Sequence, residues 1–365
     1  MDEKVKNVVI TVIFLFVIII IMIINIIKKD TEISISERRK LVTFPKFSFS
    51  KLIDGSFINE FEKYSMDQFI KRDEFRKLKI IVEQKILGKK DSNQIYKYND
   101  MLIKQEYPLN EKSVLNLSKK INEIKEKYLN ETNNIYYSII PDKSYFTDED
   151  VYLKMDYSKM EQIMKQNLKE MEYINIFNAL QLEDYYYTDT HWKQEKLLQV
   201  LDEISSKMKF KDRLKTNYKE KEITNFKGVY SGQFPIETKE DTIKVLTNNI
   251  IENAKVYNYE TNKETQIYDL EKINSNDRYD IYLSGATPIL KIENPNSKTD
   301  KQLLVFRDSF ASSLIPLFTE AYKIITVVDT RYIAPKLLEQ YVDFKNKDVL
   351  FIYSTLVINS SSTLK

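Results

Sequence analysis

LLVFRDSF, residues 303–310, joins a short apolar run to a polar turn and then to an apolar-rich segment. Four consecutive apolar residues, 303–306, are typical of a strand that is buried on both faces. Arg307-Asp308-Ser309 forms the predicted turn, and residues 310–322 are predicted to be a helix that Pro316 kinks or begins late. A strand, a turn and a helix in this order are typical of a parallel βαβ unit.

The same alternation continues on both sides of this stretch. Strands are predicted at 134–140, 174–180, 324–328 and 349–353, and helices at 114–129, 157–171, 194–208 and 335–341. The sequence therefore predicts an α/β domain with a mostly parallel sheet that is covered by helices. Sites in such domains lie beyond the carboxyl ends of the strands, where Ser309 is expected.

Residues 215–292 interrupt the alternation. They contain the turn signals Lys227-Gly228 and Ser231-Gly232, many β-branched residues and few helical patterns. We predict a β-rich insertion within a domain that occupies residues 51–365. At the start of that domain, residues 51–87 are expected to be largely helical, 88–99 a loop and 101–104 a short strand.

An apolar run at residues 8–27 is interrupted only by Thr11 and Asn25. Twenty helical residues span about 30 Å, the hydrocarbon thickness of a bilayer. Soluble helices of this length are rarely apolar on all faces, and the apolar core of a cleaved signal peptide is usually shorter. We predict an uncleaved single-pass membrane anchor, with a tail at 1–7 and a stalk at 28–50.

The charges around the anchor favour a cytoplasmic C-terminal domain, because basic residues are more numerous after the run than before it. Lys4 and Lys6 precede it, and the basic residues that follow it are Lys28, Lys29, Arg38, Arg39 and Lys40.

The composition excludes several classes of function. A formal net charge of +2 argues against a nucleic-acid-binding protein, which normally carries a basic surplus. The sequence has no cysteine and one histidine, which excludes thiol chemistry, cysteine-ligated zinc and a multi-histidine metal site within one chain. We expect neither a metal nor another cofactor.

The single histidine, His191, lies in Tyr187-Thr188-Asp189-Thr190-His191-Trp192, together with the single tryptophan. In an extended segment, residues at i and i+2 point to the same side, so Asp189 is expected to brace the imidazole. His191 is then a candidate general base. The alternative is an ordinary surface histidine.

Ser309 is the candidate nucleophile. A serine hydroxyl needs a neighbouring base, and a turn between a strand and a helix exposes the oxygen and directs N–H groups at a developing oxyanion. The Ser309 N–H is the first donor expected. The alternative is that Asp308 or Ser309 only caps the helix that begins at Phe310.

The blocks Thr188-Asp189-Thr190-His191-Trp192 and Val305-Phe306-Arg307-Asp308-Ser309-Phe310 resemble the DHHW family, which is similar to the alginate O-acetyltransferase-like branch of the SGNH hydrolase superfamily. The resemblance covers most of the chain after the anchor. Shorter matching pieces are Ile140-Pro141-Asp142-Lys143, Phe226-Lys227-Gly228, Leu283-Ser284-Gly285 and Val328-Asp329-Thr330-Arg331-Tyr332. Thr190 stands where the family name implies histidine, and Arg307 where many superfamily members have glycine.

This resemblance implies an SGNH-hydrolase-like three-layer α/β/α domain on the extracytoplasmic side of the cell membrane. It implies that Ser309, His191 and Asp189 act as nucleophile, base and orienting acid. It also implies transfer of an acetyl group, supplied by a membrane-bound O-acyltransferase partner, to a hydroxyl of a cell-envelope polysaccharide or exopolysaccharide. The charges after the anchor do not exclude this topology, since large domains translocate regardless of them.

Trp192, Arg307 and Tyr187 are the candidate substrate-binding residues. Trp192 either stacks on a sugar ring or packs to hold His191, and the second interpretation is favoured. Tyr185, Tyr186 and Tyr187 either line a glycan groove or pack in the core. Three other functions stay open: a carbohydrate acetylesterase, a non-catalytic glycan-binding or polysaccharide-assembly protein, and a scaffold that faces the cytoplasm.

Overall fold

The computed structural model of the chain describes residues 2–34, 36–37, 39–148 and 151–365. Met1 of the predicted tail and two residues of the predicted stalk, Ile35 and Arg38, lie outside the described residues. The chain divides into two compact units. The N-terminal unit comprises the residues up to 93 together with 232–237, and the α/β unit comprises 94–231 and 238–365. Residues 51–93 therefore group with the apolar helix, whereas the sequence predicted them in the α/β domain.

The apolar run forms helix α1 (Glu3–Ile27), which begins five residues before the predicted span. Its 25 residues are long and apolar enough to cross a membrane, and none of them is buried in the protein. A core helix of a soluble domain would bury one face. The absence of a buried face on α1 is thus consistent with a single-pass anchor.

The N-terminal unit continues as short elements. They are β1 (Ile33–Ser34), β2 (Arg39–Lys40), α2 (Phe49–Ile53), α3 (Ser56–Asp67), α4 (Arg72–Ile81) and a π-helical turn (Val82–Ile86). The predicted helical character of this region is confirmed. The predicted stalk contains the antiparallel pair of β1 and β2 and the start of α2.

The α/β unit contains twelve further strands in its described residues. They are β3 (Ile95–Tyr98), β4 (Met101–Lys104), β5 (Asn134–Ile140), β6 (Glu172–Ile174), β7 (Lys219–Phe226), β8 (Asp241–Thr247), β9 (Lys255–Asn258), β10 (Lys263–Thr265), β11 (Ile289–Glu293), β12 (Gln302–Arg307), β13 (Ile324–Val328) and β14 (Asp348–Ser354). The remaining α-helices are α5 (Glu111–Tyr128), α6 (Tyr157–Asn167), α7 (Leu198–Lys207), α8 (Val229–Gln233), α9 (Asn249–Asn253), α10 (Ala311–Leu314) and α11 (Thr355–Asn359).

Eight strands form the central sheet in the order β10-β9-β11-β13-β12-β14-β5-β6. The five strands from β13 to β6 are parallel, and β11, β9 and β10 are added antiparallel. The predicted mostly parallel sheet is confirmed. Since β13 and β14 pair with opposite edges of β12, the carboxyl end of β12 lies where the strand order reverses.

Helices cover both faces of this sheet. In β12, Leu303 and Val305 pack on one face against α7 and α10, whereas Leu304 and Phe306 pack on the other against α5 and α6. Successive residues of a strand point to opposite faces, so a strand between two helical layers is apolar throughout. The three-layer α/β/α arrangement that the resemblance implies is confirmed.

The structure corrects several predicted elements. Within the predicted β-rich insertion, 215–292, β7 and β8 pair with each other in a two-stranded sheet, whereas β9, β10 and most of β11 join the central sheet. Residues 95–98 are a strand and not loop. The helix predicted after Ser309 is α10 followed by a 3₁₀-helix (Ile315–Ala321), because Pro316 has no N–H to continue α-helical hydrogen bonding. The strand predicted at 174–180 ends at Ile174.

Candidate active site

Ser309 is the second residue after β12, in the turn beyond the carboxyl end of this central strand. Asp308 fixes the turn, since its Oδ1 accepts the Phe310 N–H at 3.0 Å. Its Oδ2 accepts the N–H and the hydroxyl of Ser354 at 2.7 and 2.6 Å. The fully buried carboxylate of Asp308 therefore ties the end of β12 to the end of β14. Helix α10 begins at Ala311, and its N-cap residue, Phe310, makes no side-chain cap hydrogen bond, so Asp308 stabilises the turn before the helix rather than capping it. Ser309 is half-buried beside Asp308.

Asp189 and His191 lie in a bend rather than in an extended segment, which corrects the predicted reason for their proximity. Asp189 Oδ1 accepts the His191 backbone N–H at 3.1 Å and contacts the ring Nδ1 at 2.6 Å. Around the bend, the Tyr186 N–H donates to the His191 carbonyl, and Tyr185 and Trp192 form an antiparallel bridge. The segment is thus a tight loop with the Asp189 carboxylate at its centre.

Ser309 Oγ lies 2.9 Å from His191 Nε2, although 118 positions separate the two residues. An ionised carboxylate only accepts hydrogen bonds, so the Nδ1 of His191 must be the donor to Asp189. In the neutral ring, Nε2 is then an acceptor for the Ser309 hydroxyl. Asp189 is fully buried and His191 is 6% exposed, which leaves the serine as the most accessible of the three.

The predicted insertion supplies the residues that hold Asp189. The Val229 N–H donates to Asp189 Oδ2 at 2.9 Å, and the Gly228 N–H donates to Thr188 Oγ1 at 2.7 Å. A Cβ on Gly228 would lie 2.3 Å from the Asp189 Cβ, so only glycine fits there. Asp241 accepts the N–H groups of Tyr187 and Thr188 at 2.6 and 2.7 Å.

Aromatic rings fix the imidazole plane. The Tyr279 ring stacks on His191 with centroids 3.8 Å apart and planes 5° apart, and Phe310 lies against the imidazole at 4.9 Å. The Tyr279 hydroxyl donates to Ser313 Oγ at 2.9 Å, inside α10. Tyr279 therefore joins the histidine to the helix that follows the serine.

Trp192 joins the same two blocks. Its indole N–H donates to the Phe310 carbonyl at 2.8 Å and to Ser313 Oγ at 3.0 Å. The side chain is fully buried, so it has no surface on which a sugar ring can stack. Its position agrees with the favoured interpretation, in which Trp192 packs to hold His191.

Arg307 is also fully buried, which corrects its assignment as a substrate-binding residue. Its guanidinium donates to the Gly285 carbonyl at 3.1 Å and pairs with Asp329 at 3.4 Å. Tyr187 is half-buried, and its ring contacts the ammonium groups of Lys193 and Lys239 at 4.9 and 5.3 Å. Of the three predicted substrate-binding residues, Tyr187 alone reaches the surface.

Lys143 is a buried lysine near the Asp189 loop. Its Nζ donates to the Tyr186 carbonyl at 2.9 Å and lies 5.2 Å from the centre of the Tyr230 ring. Burial lowers the pKa of Lys143 to about 7, although the carboxylates of Asp241 and Asp189 oppose the shift. Burial likewise raises the pKa of Asp241, against the hydrogen bonds from Thr188.

Sequence reasoning brought Ser309, His191 and Asp189 together but missed the roles of Tyr279, Asp241 and Gly228. Gly228 carried a weak signal, as part of one short matching piece of the resemblance. Tyr279 and Asp241 carried none, because tyrosine is abundant throughout the chain and Asp241 lies in no motif. Within the described residues, no cluster of three or more acidic or histidine side chains is arranged to hold a metal ion.

By sequence, the chain matches no protein-family profile and no curated protein. By structure, it is similar to a DHHW family protein from Eubacterium siraeum, with a TM-score of 0.59 and 19% identity over 75% of this chain and 94% of that chain. It is also similar to PatB1 of Bacillus cereus with a sulfonyl adduct, with a TM-score of 0.56 and 20% identity over 72% of this chain and 95% of that chain.

The O-acetyltransferase domain of Pseudomonas putida AlgJ matches with a TM-score of 0.44 and 10% identity, over 73% of this chain and 92% of that chain. At 19% and 20% identity, the first two similarities establish a common fold and not a common activity. The predicted resemblance is therefore confirmed at the level of the fold, which this chain shares with the DHHW family protein and with PatB1.

Proposed function

We propose that this protein is a membrane-anchored, extracytoplasmic O-acyltransferase in which Ser309 carries the acyl group. The observation that supports this most directly is the unbroken hydrogen-bonded series from Asp189 through His191 to Ser309 Oγ. A serine next to a correctly oriented imidazole is the arrangement that activates a hydroxyl for acyl transfer. PatB1, which shares the fold, has been solved with a sulfonyl adduct, a group that nucleophilic side chains carry.

In the first half-reaction, Ser309 Oγ attacks the acyl carbonyl while its proton moves to His191 Nε2. Asp189 stabilises the imidazolium that forms, and the Ser309 N–H is the expected donor to the oxyanion. The bond from the acyl carbon to the donor oxygen breaks, and His191 protonates that oxygen. Ser309 is left as an acyl ester.

In the second half-reaction, a hydroxyl of the acceptor attacks the ester and gives its proton to His191. The bond to Ser309 Oγ breaks and the serine recovers its proton from the imidazolium. We propose that the acceptor is a cell-envelope polysaccharide or exopolysaccharide. When water attacks instead, the same chemistry is that of an acetylesterase.

The experiment measures release of 4-nitrophenol from 4-nitrophenyl acetate by the full chain in detergent, with and without oligosaccharide acceptors. Ser309→Ala and His191→Ala are each expected to lower kcat by at least about 10³-fold. Acetylated oligosaccharide, identified by mass spectrometry, marks transfer, and free acetate marks hydrolysis. Activity that survives both substitutions contradicts the proposal. A parent chain that binds oligosaccharides without turnover supports the glycan-binding alternative.

We further propose, on the resemblance alone, that a membrane-bound O-acyltransferase supplies the acetyl group. Ser309 acetylation is then expected in membranes where both proteins are expressed, and not when the partner is absent or inactive. Equal acetylation of Ser309 without the partner would contradict this proposal and leave the reaction at Ser309 intact.

A further inference from the structure

A large exposed apolar surface in the N-terminal unit has no part in the proposed reaction. We call it the aromatic strip. It consists of Phe44, Phe47, Phe49, Leu52, Ile53, Phe57 and Phe61. Phe49 is 74% exposed and Ile53 is 85% exposed. Soluble surfaces rarely carry so many large apolar side chains side by side, and such patches mark contacts with membranes or other proteins.

The strip is continuous because its rings touch one another. Phe49 contacts Phe47, and Phe47 contacts Phe57 with centroids 5.4 Å apart. Phe57 and Phe61 are one turn apart on α3 and stack at 6.4 Å. Phe44 closes the series against Phe61 at 6.0 Å. The rings therefore form one connected series, in which Phe57 is half-buried and the other four are exposed.

One end of this surface is attached where α1 ends. Phe44 contacts the ring of Tyr64, whose hydroxyl donates to Asp30, three residues beyond α1. Gln68, which follows α3, accepts the Thr31 N–H through its side chain at 2.9 Å, and its carbonyl accepts the Lys28 ammonium at 3.1 Å.

The contact reaches into α1 itself. The Ile70 N–H donates to the side chain of Asn25 at 2.8 Å, and Asn25 lies within the last turn of α1. The turn between α3 and α4 therefore contacts the C-terminal end of α1. The twelve residues of α3 extend about 18 Å from there, which sets the greatest distance of its rings, Phe57 and Phe61, from this turn.

We propose that the aromatic strip lies in the lipid–water interface of the bilayer that α1 spans, as a second membrane contact beside the anchor. Aromatic side chains concentrate in this region of membrane proteins, and short amphipathic helices there bury their apolar face below the headgroups. The proposal is independent of the reaction at Ser309.

The charges of residues 44–61 indicate which force drives the contact. Lys46 and Lys51 are balanced by Asp54 and Glu60, and Lys51 pairs with Glu60 at 2.7 Å. Attraction to anionic headgroups therefore contributes little, and transfer of apolar side chains out of water dominates. Insertion is expected to be the same in zwitterionic and anionic bilayers, and insensitive to salt.

The natural absence of cysteine makes a direct test possible on the full chain. Phe49→Cys and Ile53→Cys are each labelled with the fluorophore NBD, and the protein is reconstituted into phosphatidylcholine vesicles. Ile27→Cys, at the end of α1, is the membrane reference. Ile86→Cys is the matched control, since Ile86 is an apolar residue of the same unit, 73% exposed and outside the strip.

Labels on the strip are expected to emit at shorter wavelength than the label at Ile86. Nitroxides on the lipid acyl chains should quench the strip labels severalfold more strongly than the label at Ile86, and about as strongly as the label at Ile27. Iodide in the aqueous phase should quench the strip labels less than the label at Ile86. Emission and quenching equal to those at Ile86 would overturn the proposal. Shielding from both quenchers would also overturn it, because that pattern indicates a protein partner on the strip. Quenching that occurs only with anionic lipid would contradict the claim that transfer of apolar side chains out of water drives the contact.

Discussion

Single side chains around His191 leave little freedom to the imidazole. Its Nδ1 is held by Asp189, its face by Tyr279, and its Nε2 is directed at Ser309 Oγ. A general base contributes most when its orientation is fixed before the substrate arrives. The close approach of Gly228 to Asp189 belongs to this fixation, because it brings the Val229 N–H onto the second carboxylate oxygen.

Gly228→Ala is expected to displace Asp189 and to lower kcat by about 10- to 100-fold. The new methyl group would lie 2.3 Å from the Asp189 Cβ, which no rotamer can relieve. Esterase kinetics and the thermal unfolding midpoint of the full chain are measured together. Lys227→Ala, at the exposed neighbouring position, is the control and should behave as the parent. Unchanged kcat in Gly228→Ala would show that the position of Asp189 is not critical.

Lys143 gives a prediction on pH. Its pKa is about 7 in the folded chain against an ordinary value of 10.5, because burial disfavours the ammonium. Between these pH values the unfolded chain binds a proton that the folded chain has lost, so the free energy of unfolding rises with pH. The free energy of unfolding rises by at most about 1.4 kcal/mol per pH unit. The full gain is present above about pH 10.5 and is lost as the pH falls through about 7.

Lys143→Met is expected to remove this rise. Denaturant unfolding of parent and variant between pH 7 and 10 should show the parent gaining stability relative to Lys143→Met as the pH increases. Asp241, Asp189, Asp142 and Lys193 interact with the same ammonium and are retained in both proteins. The exposed Lys227→Met is the control. Parallel pH profiles for parent and Lys143→Met would contradict the assignment.

At the scale of secondary-structure elements, the site is assembled from three pieces of chain. The turn after β12 carries Ser309, the bend after β6 carries His191, and the segment between β7 and β8 donates a backbone N–H to Asp189. Trp192 and Tyr279 join the first two pieces through the same acceptors, Phe310 and Ser313. These two donors are therefore expected to act as one unit.

Trp192→Phe and Tyr279→Phe are each expected to cost about 1 kcal/mol in the free energy of unfolding, because the other donor still satisfies the acceptors. The double substitution leaves the Phe310 carbonyl and Ser313 Oγ without either donor. It should cost more than the sum of the single changes by over about 0.5 kcal/mol. Denaturant unfolding of the four proteins measures this coupling. Additive costs would show that the two side chains act independently.

The sequence predicted the parts of the site that depend on short-range pattern. The apolar run 303–306 gives β12, and the following turn and helix place Ser309 at its end. His191 and Asp189 were identifiable because the histidine is unique and the aspartate is two residues away. The supporting contacts of Tyr279, Asp241 and Gly228 come from residues 215–292, whose packing is set by long-range contacts and leaves no local periodicity.

At the scale of the whole molecule, an apolar helix that is long enough to cross a membrane belongs to one unit and the candidate site to another. Residues 51–93 were predicted in the α/β domain because helical periodicity does not tell which unit a helix packs on. The side of the membrane on which the α/β unit lies is likewise not set by the pattern of helices and strands. The charges around α1 favour the cytoplasm, whereas the family resemblance implies the extracytoplasmic side.

An alkaline phosphatase fusion at Lys365 of the full chain is expected to be active in a bacterial host, since the α/β unit is predicted to be extracytoplasmic. A green fluorescent protein fusion at the same position should be dark when exported by the Sec route. The reverse pair of results would place the unit in the cytoplasm, as the basic residues after α1 suggest, and would remove the cell-envelope acceptor from the proposal.

The activation of Ser309 by His191 is tested most directly by mapping a covalent adduct. The folded full chain is treated with a fluorophosphonate, digested and analysed by mass spectrometry, beside His191→Ala and a denatured sample. We predict one adduct, on Ser309, in the folded parent, and none in the other two samples. An adduct on a different residue, or equal labelling of Ser309 in His191→Ala, would contradict the proposed role of the pair.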